Sequence, residues 1–143
     1  MLAYVFRGIH EGLVMGRRIL VIDDEPDIVY MVKVILRSAG CEVATAAGIK
    51  DGTAMIESED PDLILLDLRL IDGDGMEVLE AMRSSGKIDS IPVIILSAHA
   101  TPSTSERALA AGAKGYITKP FIAGQLVDAV NAQLGHPGDR DGT

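Results

Sequence analysis

The chain has 143 residues, enough for one domain with a hydrophobic core and too few for two of ordinary size. Its formal charge of −8 gives none of the basic footprint of a phosphate-backbone binder, so no direct nucleic-acid contact is expected. The single cysteine, Cys41, excludes an internal disulfide framework, and no Cys or His cluster has zinc-ligand spacing, which together fit a reducing cytoplasm.

Residues 1 to 16, MLAYVFRGIHEGLVMG, read as an N-terminal extension. Arg7, His10 and Glu11 break its apolar residues, so it has no signal-peptide core, and no run in the chain is long enough to insert in a membrane. Met15, followed by the short basic lead GRRILVIDDEP, is expected to be an alternative start. The domain proper is expected over residues 17 to 135, and the Gly- and Pro-rich residues 136 to 143 as a disordered tail.

The first strand, RILVID (18 to 23), ends in a problem: Asp23, Asp24 and Glu25 follow an apolar run without interruption. Three adjacent acids at the end of a core strand repel one another, and such a placement needs a cation there or spends stability for some other reason. Pro26 then suits the first turn of a helix. Along that helix Ile28, Met31, Val32, Ile35 and Leu36 share one arc and leave Tyr30 and Val34 on the opposite face. Further strands are expected at 41 to 46, 63 to 68, 92 to 98 and 115 to 119, and further helices from near Ile49, Asp74, Thr104 and Ile122. Gly40 and Gly86 suit helix ends, and Ser103 with Glu106 has capping-box spacing.

Five βα units follow from this order. The third and fourth strands are nearly continuous apolar runs, which argues for a parallel, doubly wound α/β sheet covered on both faces. In such sheets the site lies beyond the carboxyl ends of the strands. There Asp23, Asp24, Asp67, Ser97 and Lys119 converge. Each alone has an ordinary explanation as a cap, an Asx turn or a solvated lysine, but independent caps have no reason to gather at the same end of four strands. Other chemistries fail: no P-loop is present, and IDGDG at 71 to 75, set as a calcium loop, puts Leu70 and Ala81 where acids are required. No nucleophile elbow accompanies Ser97, so a hydrolase is not expected.

IDDEP, LILLDLRLIDGDG, LSA and GYITKPF, in that order, resemble the receiver domain of bacterial two-component response regulators over about residues 17 to 135. The resemblance implies a flavodoxin-like five-stranded sheet of order 2-1-3-4-5 with five helices. It implies a phosphoacceptor at Asp67, Mg²⁺ held by Asp24, Asp67 and the backbone carbonyl of Arg69, and Asp23 acting through a bound water. Lys119 is implied to contact the phosphoryl group, Ser97 to be the switch hydroxyl and Tyr116 the aromatic switch. A cis Lys119–Pro120 bond is also implied. Ile71 stands where the family commonly has proline, and Ser97 where threonine is commoner.

The resemblance further implies a signalling protein rather than an enzyme, phosphorylated by a histidine kinase or phosphotransfer protein and acting on an unidentified downstream protein. Tyr30 and Val34 are the expected kinase-docking pair, while Arg69 and His99 would flank the phosphoryl group. A stand-alone receiver is the first expectation and a phosphorelay intermediate the alternative. A flavodoxin-like cofactor binder is the rival of another class, opposed by acids where a flavin phosphate would need a hydroxyl and glycine loop.

Overall fold

The computed structural model describes residues 15–98 and 101–135. It builds one five-stranded parallel sheet from β1 (Arg18–Ile22), β2 (Glu42–Ala46), β3 (Leu63–Leu66), β6 (Val93–Ser97) and β7 (Gly115–Thr118). The helices are α1 (Pro26–Ser38), α2 (Ile49–Glu59), α3 (Met76–Ser85), α4 (Pro102–Ala110) and α5 (Ala123–Leu134). The sheet order is β2-β1-β3-β6-β7, which is the expected 2-1-3-4-5 order once the main strands are counted in sequence.

Alternation within the buried strands explains their unbroken apolar sequence. Ile19, Val21, Leu63 and Leu65 face one side with Val32, Ile35 and Leu36 of α1 and Leu126, Val127 and Val130 of α5. Leu20, Ile22, Ile64 and Leu66 face the other, with Ile56 of α2, Val78, Leu79 and Met82 of α3 and Ala108 of α4. Successive residues of one strand therefore enter two different cores, and both must be apolar.

Two small elements were not anticipated. Residues Arg69–Leu70 (β4) and Gly73–Asp74 (β5) form a separate antiparallel hairpin, and Lys87–Asp89 form a 3₁₀ turn. The start of α4 also differs from the expected one. The hydroxyl of Thr101 accepts the Thr104 amide at 3.1 Å and Pro102 occupies the first turn, so the helix begins before Ser103 and the Ser103/Glu106 box is not the cap. At the other helix ends the expectations hold: Pro26 opens α1, and Gly86 closes α3 at φ +83°.

Candidate functional site

Register brings the expected rim together. Ile22 pairs with Leu66, so Asp23 and Asp67 are the next residues on adjacent strands, and the Asp67 amide donates to the Ile22 carbonyl at 2.9 Å. Beyond the paired Ser97 and Thr118, the Lys119 amide donates to the Ser97 carbonyl at 2.9 Å. The sheet's own hydrogen bonding thus carries past its strands and fixes the backbone of three site residues. Lys119–Pro120 is cis.

The Lys119 ammonium lies among three carboxylates. It donates to Glu25 Oε1 at 2.6 Å and to Asp67 Oδ2 at 3.1 Å, and it is 2.8 Å from Asp23 Oδ2. The other oxygens of the two aspartates serve the backbone: Asp23 Oδ1 accepts the Glu25 amide at 2.9 Å and Asp67 Oδ1 the Arg69 amide at 3.1 Å. Asp23, Asp67 and Lys119 are all buried. Burial pushes the Asp23 carboxyl above its ordinary range, against the opposing pull of Lys119 and the Glu25 amide. Burial alone would lower the Lys119 ammonium, but its bonds to Asp23 and Glu25 and the charge of Asp67 outweigh that and raise it. The lysine therefore stays charged, and the ionised form of Asp23 carries a desolvation cost.

The residues present fit a hard cation. Asp23, Glu25 and Asp67 each place a carboxylate oxygen within 4.8 Å of the others, the donor set is all oxygen, and the buried Asp23 Oδ2 faces only the Lys119 ammonium, at 2.8 Å. Glu25 is the residue that sequence reasoning left without a role. Its position beside Asp23 and Asp24 was visible, but its reach across to Lys119 depends on the α1 entry angle, which the sequence does not state. Asp24 is not one of the trio; it is half-buried and lines a cavity of about 380 Å³ with Glu25, Asp67, Arg69, Leu70 and Ala98.

Ser97 is fully buried at the end of β6, and Tyr116 is half-buried and packs against the core that holds α2, α3 and α4. The Arg69 side chain is exposed and lines the cavity over Asp67 and an adjoining one shared with Ser97 and Arg107. Tyr30 and Val34 of α1 are 70% and 40% exposed. His99, residues 1–14 and the tail 136–143 lie outside the described residues.

Among the described residues, no helix is long and apolar enough to cross a membrane. A family profile described as the response regulator receiver domain matches residues 19–131. The chain is 36% identical over 127 residues to the phosphate regulon transcriptional regulatory protein PhoB of Pseudomonas aeruginosa. That alignment takes in 89% of this chain but 56% of the relative, so the chain spans about half of that protein's length. A CheY-like receiver domain of Methanospirillum hungatei superposes with a TM-score of 0.78 at 34% identity, covering 84% of this chain and 94% of that one. The Vibrio cholerae chemotaxis protein CheY4 does so with a TM-score of 0.78 at 29% identity, covering 85% and 100%. With the profile, the fold and the carboxylate–lysine rim in agreement, the chain belongs to the response regulator receiver domain family.

Proposed function

We propose that Asp67 is the phosphoacceptor and that this receiver takes its phosphoryl group from the histidine of a kinase or phosphotransfer protein. The observation that carries the reading is the placement of Asp67: buried at the end of β3, oriented by the Arg69 amide, and in contact with the ammonium of Lys119. In the transfer, an Asp67 oxygen bonds to phosphorus as the donor's P–N bond breaks, and the electron pair stays on the imidazole, which takes up a proton. Lys119 then has a phosphoryl oxygen to contact in place of a carboxylate. Asp23, Asp24, Glu25, Asp67 and the Arg69 carbonyl are the groups that would hold Mg²⁺, which when bound screens the repulsion between carboxylate and phosphoryl group.

The charge gained at Asp67 offers the Ser97 hydroxyl an acceptor that exists only in the phosphorylated protein. Tyr116 lies two residues before the end of the neighbouring strand; in this reading it responds to that bond, and the signal leaves through protein contacts to a downstream partner. Tyr30 and Val34 are the apolar pair offered to the kinase, and the exposed Arg69 side chain covers the phosphoryl group against water. A cytoplasmic location fits this reading, because a histidine kinase draws on ATP.

The test is intact-mass measurement with a small phosphodonor and Mg²⁺. One phosphoryl group is expected on the wild type and none on Asp67→Ala. An unchanged wild-type mass, or a modified Asp67→Ala chain, would remove the assignment.

A further inference from the structure

The segment 71–75, IDGDG, contributes no group to the transfer, yet its two acids are both engaged. Leu70 pairs with Gly73, which leaves Ile71 and Asp72 as a two-residue turn at the tip of the β4–β5 hairpin. Asp72 reaches out of the hairpin. Its Oδ1 accepts the Ile49 amide at 2.7 Å and its Oδ2 the Lys50 amide at 3.2 Å, the first two residues of α2. A helix is normally capped by the side chain just before it. Here that residue is Gly48, which has none to offer, and the cap comes from the turn beyond Asp67 instead.

Gly48 also makes the room. A Cβ there would fall 2.6 Å from Asp72 Oδ1 and 2.9 Å from its carboxyl carbon. Gly73 follows at φ +143°, where a Cβ would stand 3.0 Å from Ile49 Cδ1, so the next residue of the hairpin is seated on α2 as well. On the far side Asp74 accepts the Met76 amide at 2.9 Å, and Gly75 passes so close to the Asp67 carbonyl that a Cβ would overlap it. The hairpin is therefore pinned between the starts of α2 and α3.

It has need of pinning. A two-stranded ladder of this length is marginal by itself, and neither Ile71 nor Asp72 has the positive φ of the turns whose twist suits a two-residue hairpin. Its first residue is Arg69, whose amide holds Asp67 Oδ1. We propose that Asp72 is a positioning residue for the phosphoacceptor site: by clamping the hairpin tip onto α2, it fixes Arg69 and, through it, the Asp67 carboxylate and the Mg²⁺ ligand set. This rests on the reading of Asp67 as phosphoacceptor.

A mere helix cap would give the same contacts, and three variants separate the two roles. Asp72→Ala removes the clamp. Gly48→Ser supplies α2 with a cap of its own while its Cβ evicts the Asp72 carboxylate, and the backbone there, at φ −151°, is extended and open to any residue. The third variant combines both changes. Each is compared with wild type by melting temperature and by Mg²⁺ affinity of the unphosphorylated protein, from amide shifts in an Mg²⁺ titration.

Asp72→Ala and Gly48→Ser should each bind Mg²⁺ about tenfold more weakly, the low end of the loss from removing a group that orients ligands. The double variant should recover melting temperature without recovering affinity. Wild-type affinity in either single variant, or affinity that returns with melting temperature in the double, overturns the proposal. A wild-type chain that takes no phosphoryl group on Asp67 overturns the phosphoacceptor reading and this inference together, whereas unchanged Mg²⁺ binding in the variants overturns this inference alone.

Discussion

The two ends of the sheet handle charge in opposite ways. At the amino ends of the strands, cations meet the carboxyl termini of helices: Arg18 donates to the Glu59 carbonyl at 2.9 Å, and Arg17 to the Leu134 carbonyl at 3.2 Å. The Arg18 amide is met by Asp62 at 2.8 Å, and its guanidinium pairs with Glu42. The three contacts to backbone groups satisfy what a helix end or strand start leaves without a partner, and the Arg18–Glu42 pair matches opposite charges. At the carboxyl ends, three carboxylates share one ammonium and a fourth, Asp24, borders the same cavity. Helix polarity favours acids there, since α1 points its amino terminus at them, but it does not account for burying Asp23 and Asp67. One end is built to close the fold; the other holds an excess of negative charge that folding alone gives no reason to keep.

Removing Lys119 should break this contrast with the largest effect. Lys119→Met leaves Asp23 and Asp67 buried without their counter-charge, which at neutral pH without Mg²⁺ should cost about 3–5 kcal/mol, as for other broken buried pairs. Urea denaturation measures it; a loss below about 1 kcal/mol would show that the acids do not depend on the lysine. Asp23→Asn should act in the opposite direction. Because burial raises the folded carboxyl above 3.8, the folded state holds more protons than the unfolded one between 3.8 and the raised value. Stability therefore falls as pH rises through that window. The variant should melt above wild type at pH 7 without Mg²⁺ and lose that advantage below pH 3.8. With Mg²⁺ at a hundred times its dissociation constant, wild type should gain about 2.7 kcal/mol and the variant less. A variant that melts below wild type in metal-free buffer would show that Asp23 stabilises the fold and is not strained by burial.

The contrast between the ends also separates what the sequence discloses from what it hides. Strands and rim residues were legible because buried strands need apolar residues on both faces and the acids stood out against them, whereas the strand order came only with the family resemblance. The ordinary explanation of an acid at a strand end and its place in the site are compatible. Asp67 does make the Asx-type bond of a turn residue, through Oδ1 to Arg69, and that bond aims Oδ2 at Lys119. The part that was not legible depends on long-range reach. Glu25 meets Lys119 across 94 positions, and Asp72 meets Ile49 across 23. No local pattern announces either contact. IDGDG had the look of a calcium loop because helix caps and calcium ligands draw on the same short acids next to glycines.

Changes at the amino end should be smaller and leave the chemistry intact. Asp62→Ala removes the acceptor of the Arg18 amide, a half-buried bond worth about 1 kcal/mol. Chemical denaturation should show that loss, while intact mass after a small phosphodonor and Mg²⁺ stays as in wild type. Slower modification of Asp67 in this variant would mean that the two ends of the sheet are coupled.

The smallest effect is expected at the most exposed pair. Arg18 and Glu42 approach to 3.2 Å with side chains 43% and 65% exposed, so water screens their attraction, and ordering two long side chains offsets much of what remains. The Arg18 guanidinium moreover keeps the Glu59 carbonyl when Glu42 is lost. Glu42→Ala should therefore change stability by less than ~0.5 kcal/mol, and by still less in 1 M salt. The same geometry that places a 3.2 Å ion pair here places a 3.1 Å one between Lys119 and Asp67. If denaturation of Glu42→Ala showed a loss comparable to that of Lys119→Met, exposure would not be what distinguishes the two ends, and the argument for a dedicated acidic site would have to rest on geometry without energetics.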